Sequence, residues 1–177
     1  VKYGLSKCYY AVVTTSGYAT PVALPGAVNL SLDQEGEPNA FRADNIDYYI
    51  SVSNNGYSGD LELALIPDSF LTDVMGEVVD GTTGVQYEIA DANPKAFALL
   101  FQFEGDEKAT RHVLYNCKAT RPLNSETTGE TIEPVTETIN IRAVARDSDH
   151  LVKAKCKEGD TSYSTWFTAV VVPTITT

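Results

Sequence analysis

The chain has 177 residues, a length that fits one domain and suffices to bury a hydrophobic core. Apolar residues make up 43% and charged residues 21%, which is typical of a globular protein and excludes a disordered chain and a coiled coil. No apolar run approaches the roughly 20 residues that a membrane-spanning helix needs. The 24 acidic and 13 basic residues give a net charge of -11, which argues against nucleic-acid binding through phosphate neutralisation.

Strand patterns dominate the chain, because Thr, Val, Ile, Tyr and Phe are frequent and short clusters of Gly, Pro, Asn and Asp separate them. The alternation therefore predicts a mainly β protein, a β-sandwich with one short α-helix and long polar loops. The predicted strands cover residues 6–14, 27–32, 46–53, 58–66, 85–89, 96–104, 110–120, 135–145, 151–156 and 162–172.

Two segments indicate how these strands are buried. In residues 60–65 the leucines fall on one face of the predicted strand and the acids Asp60 and Glu62 on the other, since successive side chains in a strand point to opposite sides. Residues 96–101 are apolar throughout, which predicts a strand that is covered on both faces.

Turn chemistry predicts two hairpins. Asn55-Gly56 lies between two alternating runs and favours a type I′ turn, so residues 46–66 are expected to form one hairpin. A second turn is predicted at Gly105-Asp106, between the strands that end at residue 104 and begin at residue 110.

One short helix is predicted over residues 68–76, where Asp68 or Ser69 serves as the N-terminal cap and Gly76 ends the helix. Phe70, Leu71, Val74 and Met75 share one face of it. Residues 33–45 and 122–134 are rich in polar residues, Gly or Pro and lack apolar periodicity, so they are predicted to be long polar loops.

The sequence contains few residues in a pattern that could form a catalytic or metal site. His112 and Cys117 are five apart in one predicted strand, so they are expected on opposite faces and cannot pair as base and nucleophile without another element. His112 and His150 lack the spacing of a metal-binding motif. Asp33, Glu35 and Glu37 could ligate calcium, but the calcium-loop pattern is absent and a solvated loop is the preferred interpretation.

The three cysteines Cys8, Cys117 and Cys156 form neither a disulfide framework nor a zinc motif and are expected to be reduced and buried. No phosphate-binding glycine motif occurs. We therefore expect no catalytic residue, no metal and no cofactor. The chain begins at Val1 without a secretory pattern, so cytosolic synthesis is expected unless a leader was removed.

The tyrosine doublets Tyr9-Tyr10 and Tyr48-Tyr49 each send one ring to each face of a strand. One ring of each pair therefore lies away from a single core. Two interpretations stay open at this point: a second packed layer inside the domain, or an interface between subunits, where tyrosine is enriched.

A series of stretches spread over nearly the whole chain carries a family resemblance. They are KYGL at 2–5, YYA at 9–11, TPVALPGAV at 20–28, LSLD at 30–33, ADNIDYY at 43–49, NNGYSGDLE at 54–62, PDSF at 67–70, FALLF at 97–101, KATRH at 108–112 and Trp166-Phe167. In order and spacing they resemble the major tail protein family of long-tailed, non-contractile bacteriophages.

This resemblance implies a tail tube subunit in which residues 1–177 form a single tail tube domain. In that family six copies form a ring, and stacked rings make a tube that encloses the DNA-ejection channel. The implied partners are other copies of the chain, the tail tip and tail terminator proteins, and in the lumen the tape measure protein and passing DNA, without sequence-specific binding. The implied location is the virion, after synthesis in the host bacterial cytoplasm.

The resemblance supplies no catalytic residues, and the chain is expected not to be an enzyme. Some members add an immunoglobulin-like domain at the C-terminus; none is expected here, because Thr177 follows soon after the last predicted strand. The alternative function is a monomeric extracellular β-sandwich that binds a ligand, as an adhesin or a carbohydrate-binding module does. Such a module should show a cluster of exposed aromatic residues.

Two groups of residues are candidate sites of the tube subunit. Asp60 and Glu62 are candidates for the lumen wall, where rings of negative charge oppose adhesion of DNA; the alternative is an outer, solvated face of the tube. The candidates for contacts between subunits are Phe41 and Arg42, in the predicted loop 33–45, and the doublet Tyr48-Tyr49.

Overall fold

Antiparallel strands are the main secondary structure of the protein in a computed structural model, which describes residues 3–36, 38–43, 46–120 and 135–176; for residue 3 and residues 38–43 and 46–52 it describes the backbone alone. The predicted class, a mainly β, sandwich-like fold with one short helix, is confirmed. In chain order the elements are β1 (Tyr3–Thr14), β2 (Gly17–Tyr18), β3 (Val22–Ala23), β4 (Ala27–Gln34), β5 (Pro38–Ala43), β6 (Ile46–Val52), β7 (Tyr57–Leu63), α1 (Asp68–Asp73), β8 (Val78–Val79), β9 (Gln86–Tyr87), β10 (Phe97–Glu104), β11 (Arg111–Ala119), β12 (Glu137–Val144) and β13 (Lys153–Cys156).

One large sheet carries the fold. Its strands follow the order β2-β1-β10-β11-β12-β7-β4, with β3 added to β1 and β13 added to β11. Near the two ends of this order, β1 and β4 approach each other to within 8 Å between Cα atoms without pairing. The sheet therefore curls over on itself and encloses a core.

The inner core fills the concave side of the curled sheet. Leu61 and Leu63 of β7 are fully buried there, as the alternation predicted, but the prediction is wrong for Leu65, which is 67% exposed because β7 ends at Leu63. Phe70 of α1 is also fully buried and meets Phe97 and Tyr10 edge-to-face, with ring centroids 5.5 and 5.3 Å apart. Burial of one such side chain contributes roughly 1.5 to 3 kcal/mol to the stability of the fold. Helix α1 therefore completes the inner core by packing Phe70 into it.

A second, outer core lies on the opposite face of β1, β10 and β11. Leu100 and Tyr115 are buried in it, whereas Phe97 and Leu99 of the same strand β10 belong to the inner core. The prediction that residues 96–101 are covered on both faces is thus confirmed. The cover is the C-terminal strap, residues 157–171, whose Trp166 is buried against this face.

The strap corrects the prediction of a strand over residues 162–172, because this segment forms successive turns. Side chains rather than a strand ladder hold it: the Trp166 indole N–H donates to the His112 carbonyl over 3.2 Å, and the Tyr115 hydroxyl donates to the Val171 carbonyl over 2.6 Å. The Arg111 guanidinium lies 3.8 Å from the centre of the Tyr163 ring. Aromatic and β-branched residues favour any half-buried surface, so their frequency alone does not specify a strand.

The region 27–63 corrects two further predictions. Residues 33–45 are not one polar loop, since they contain the end of β4 and all of β5; and β6 does not form a hairpin with β7 across Asn55-Gly56. Instead β5 pairs with β6, from Pro38 with Val52 to Ala43 with Ile46, while β4 pairs with β7.

The two pairings join into one long hairpin. Between them the Glu35 N–H donates to the Gly56 carbonyl, and the Asn55 N–H donates to the Glu35 carbonyl, each over 2.8 Å. Gly56 therefore lies in the returning arm and not in a turn. Its φ is +95°, and a β-carbon there would come within 2.0 Å of the Ala143 carbonyl oxygen, so glycine is required by the close approach of β12.

The remaining predictions of local structure are partly confirmed and partly wrong. Helix α1 ends at Asp73 with Val74 as its C-terminal cap, earlier than the predicted end at Gly76, although Gly76 has the positive φ of +80° that favours glycine. The N-terminal cap is Pro67 without a side-chain hydrogen bond, so capping by Asp68 or Ser69 is wrong. The predicted strand 85–89 is reduced to β9, which pairs with β8 in a separate two-stranded hairpin. The turn at Gly105-Asp106 between β10 and β11 is confirmed. The predicted loop 122–134 lies outside the described residues.

Candidate functional site

The convex side of β4, β7 and β12 forms the candidate functional site, which we call the polar face. The register of the three strands places polar residues side by side in rows, because each strand turns its apolar residues toward the inner core. The rows are Asn29–Glu62–Thr138, Ser31–Asp60–Asn140 and Asp33–Ser58–Arg142. All nine side chains are exposed or half-buried.

Hydrogen bonds between strands hold the carboxylates of the polar face. The Asn140 amide donates to Asp60 over 3.0 Å, and the Thr136 hydroxyl donates to Glu62 over 2.5 Å. Arg142 forms an ion pair of 3.0 Å with Glu35, between side chains that are 62% and 36% exposed. An exposed pair of this kind contributes at most about 1 kcal/mol, so the polar face is oriented by its strands and not by this contact.

The polar face is acidic. The three rows and the adjoining ion pair contain four acids and one cation, Arg142, so their net charge is -3. The acids are Asp33, Glu35, Asp60 and Glu62. Asp60 and Glu62 lie together on it, opposite the buried Leu61 and Leu63, as the alternation predicted. A surface of this charge can repel phosphates.

A protruding hairpin continues the strands of the polar face. We call β5 and β6 the hairpin arm, residues 38–52; these strands make extensive contacts only with each other among the described elements. Its backbone register brings the candidate subunit-contact positions together, with Phe41 opposite Tyr49 and Arg42 opposite Asp47. In the sequence these residues belong to two different predicted segments, because residues 38–43 lack a strand pattern of their own.

The first tyrosine doublet now has an assigned environment. Tyr10 is buried in the inner core, where its hydroxyl donates to Asp73 over 2.8 Å. Tyr9 stacks on Phe167 of the C-terminal strap, with ring centroids 4.7 Å apart. For Tyr9-Tyr10 the interpretation as a second packed layer is therefore correct, whereas the side chains of Tyr48-Tyr49 lie outside the description.

His112 and Cys117 require a correction. An irregularity in the pairing of β10 with β11 shifts the register between Leu114 and Cys117, so that both belong to the inner core. His112 stacks on Phe101, which belongs to the same core, with ring centroids 5.2 Å apart. The two residues thus border one side of the strand and not opposite faces. Burial raises the pKa of the Cys117 thiol far above its ordinary range, so it is protonated at neutral pH and unsuited to nucleophilic attack.

The cysteines and the considered calcium cluster are the remaining candidate groups. All three cysteines are free thiols and buried, as predicted. Within the residues that the structure describes, no three His, Cys, Asp or Glu side chains are grouped so that they could hold a metal ion. Asp33 and Glu35 of the considered calcium cluster lie on and just after β4, and Glu37 is outside the described residues. No helix in the described part of the chain is long and apolar enough to span a bilayer.

Comparisons with known proteins were made at the level of sequence and of structure. No protein-family model and no curated protein matches the chain. Among solved structures, a chain of "Cryo-EM structure of the anti-feeding prophage (AFP) baseplate, 6-fold symmetrised" matches with a TM-score of 0.42 and 11% sequence identity, over 88% of this chain and 94% of that chain. A likeness at this level carries no information on function.

Proposed function

We propose that this chain is a structural protein of the virion: a tail tube subunit of a long-tailed, non-contractile bacteriophage, with no enzymatic activity. The observation that carries the proposal is the acidic polar face, an uncovered β surface on a chain whose sequence resembles the major tail proteins throughout. An inner wall of a DNA conduit needs such a surface, because it must not bind the phosphates that pass along it.

In this proposal residues 1–177 act as one domain, and six copies form a ring that stacks on further rings. For 177 residues the expected radius of gyration is about 16 Å, so six subunits in contact around an axis leave a hole on the order of 40 Å. A DNA duplex fits this hole with room for water and ions. The polar face lines it, so that Asp60 and Glu62 form rings of negative charge.

The hairpin arm contacts a neighbouring subunit in the same proposal. It protrudes from β4 and β7, and its sequence is rich in aromatic and β-branched residues, among them Phe41, Tyr48 and Tyr49. A two-stranded hairpin by itself is marginally stable in water, so contact with a neighbouring subunit would stabilise the hairpin arm. The other partners are the tail tip and terminator proteins and, in the lumen, the tape measure protein and DNA.

The alternative, a monomeric extracellular binding module, predicts a cluster of exposed aromatic rings. Of the large hydrophobic side chains that stand out as exposed in the described part of the chain, only Tyr87 is aromatic. No observation on the described residues favours this alternative over the tube subunit.

Electron microscopy of the purified, concentrated chain tests the proposal. We expect rings or tubes with sixfold symmetry in negative stain and a matching increase of mass in sedimentation as the concentration rises. A monodisperse monomer at every concentration, with no assembly when tail tip proteins are added, would contradict the tube function.

A further inference from the structure

One end of the domain exposes apolar side chains on a segment that is rich in acids. Residues 68–94, which contain α1, β8 and β9, carry six Asp or Glu residues and no Lys or Arg. Five large apolar side chains of this segment are between 43 and 58% exposed: Val78, Val79, Val85, Tyr87 and Ile89. Single exposed apolar residues are ordinary, but five on one small hairpin indicate a contact surface.

The hairpin of β8 and β9 has a defined shape. The Gln86 amide donates to Glu77 over 2.7 Å, and the Asp80 carboxylate accepts hydrogen bonds from the Thr82 N–H and the Thr83 hydroxyl at the turn. These hydrogen bonds lower the pKa of Asp80, which keeps the turn negatively charged. We call this hairpin the acidic knob, residues 77–91.

A basic surface lies along β13. Among the described strands β13 pairs with β11 alone, so it is an edge strand, and it exposes Lys153 and Lys155, with Lys157 directly after it. These are three of only 13 cationic residues in the chain. The turn that follows contains Glu158 and Asp160, and Asp160 accepts the Lys157 backbone N–H over 2.8 Å. Lysines on an edge strand also protect it from unwanted strand pairing, so the charge alone does not establish a docking site.

An apolar cavity beside β13 provides the second observation. It has a volume of about 240 Å³ and is lined mainly by apolar and aromatic side chains next to Lys153, whose ammonium lies 4.5 Å from the centre of the Tyr57 ring. An apolar cavity of about 150 Å³ holds a benzene molecule, so this one accommodates an aromatic or branched side chain. The lining residues include Leu32, Tyr57, Phe101, Phe103 and Ala154. We call the cavity and the three lysines the basic socket.

The acidic knob and the basic socket lie at opposite ends of the sheet. Strand β7 begins at Tyr57, next to the socket, and ends at Leu63, from which the chain enters α1 and then the knob. Seven residues of strand span about 20 Å, so one domain cannot join its own knob to its own socket through this path. Complementary surfaces at opposite ends produce head-to-tail association, which closes into a ring or continues as a filament.

We propose that the acidic knob of one copy docks into the basic socket of the next copy of this chain, with Tyr87 or a neighbouring valine in the cavity and the acids of the knob beside Lys155 and Lys157. This inference rests on the proposed function and assigns it one contact between subunits. The apolar insertion supplies affinity, and the opposite charges select the head-to-tail partner over a like-charged surface.

A charge exchange between two full-length variants tests the docking. The socket variant carries Lys155→Glu and Lys157→Glu, and the knob variant carries Glu88→Lys and Asp91→Lys. Each variant alone places like charges at the contact, so the concentration needed for assembly should rise at least about tenfold. In an equimolar mixture every contact between unlike copies is again complementary, so assembly should return to nearly the wild-type concentration.

The apolar part of the contact has its own pair of variants. Tyr87→Ser should weaken assembly, whereas Val172→Ser, which alters an equally exposed side chain outside the knob, should not. Melting curves of the monomers verify that each variant is folded. Assembly of both charge variants at the wild-type concentration, or no recovery in the mixture, overturns the docking while wild-type rings still support the tube function. Head-to-tail filaments without rings would support the docking and contradict the tube function.

Discussion

Gly56 and Ala143 are in direct backbone contact where β7 meets β12: a β-carbon at position 56 would lie 2.0 Å from the Ala143 carbonyl oxygen. The same glycine has φ of +95° and accepts the Glu35 N–H, so it connects the main sheet to the base of the hairpin arm. Two requirements, space and a positive φ, therefore coincide at one residue.

Replacing Gly56 with alanine should destabilise the fold by about 2 kcal/mol or more, since the clash involves backbone that cannot rotate away. Gly81→Ala is the matched control, because a β-carbon there meets nothing within 4 Å, and it should change stability by no more than about 0.5 kcal/mol. Urea denaturation at constant m-value measures both. Equal midpoints for the two variants would contradict the required close approach.

Reversing the charge of the polar face should separate assembly from DNA passage. Asp60→Lys with Glu62→Lys adds cations to a surface that lies away from the inner core, so tails of normal length are expected, with reduced DNA ejection. The control, Asp60→Asn with Glu62→Gln, keeps the shape and removes the charge, and should have a smaller effect. Unchanged ejection with the lysine variant, or a cryo-EM map with these side chains on the outside of the tube, would refute the assignment to the lumen.

The hairpin arm should be dispensable for folding and necessary for tubes. Replacing residues 38–52 with an Asn-Gly turn keeps the pairing of β4 with β7 and the described residues of both cores, so the thermal transition of the monomer should remain cooperative. We expect no tubes from this variant in negative stain. If it forms tubes of normal length and diameter, the arm does not mediate contacts between subunits.

Alkaline pH should destabilise the protein, because burial raises the pKa of Cys8 from 9.0 to about 12 and those of Tyr10 and Tyr115 from 10.0 to about 12. Between pH 9 and 12 the unfolded chain releases protons that the native state retains, so the free energy of unfolding falls as pH rises and is unaffected by these groups below pH 9. The Cys8 thiol contributes up to about 1.4 kcal/mol per pH unit.

Urea midpoints at pH 8, 9.5 and 11 measure this dependence. A Cys8→Ala variant will be less stable at pH 8 through lost packing, so the slopes with pH are compared and not the absolute stabilities. Its slope should be shallower than that of the wild type. Parallel slopes for the two proteins would show that the thiol does not remain protonated in the native state.

The sequence by itself determined which face many residues occupy. The alternation in residues 60–63 separated the buried Leu61 and Leu63 from the polar Asp60 and Glu62, and the continuous apolar run from Phe97 to Phe101 predicted a strand between two cores. Both inferences are local, since the two-residue period of a strand depends only on its own side chains. The absence of a β-carbon likewise marked Gly76 and Gly105 as positions where an element ends.

Strand partners were decided by the tertiary structure alone. Asn55-Gly56 has the composition of a hairpin turn. The structure nevertheless requires Gly56 because β12, more than 80 residues later in the chain, passes close to its backbone. Residues 38–43 have no strand pattern and become a strand because they lie opposite β6. Trp166 and Phe167 of the strap are aromatic residues of a kind that favours strands. They pack on the outer core from a segment that forms turns instead. Periodicity encodes the face that a residue presents, whereas pairing depends on contacts between distant segments, which no local pattern contains.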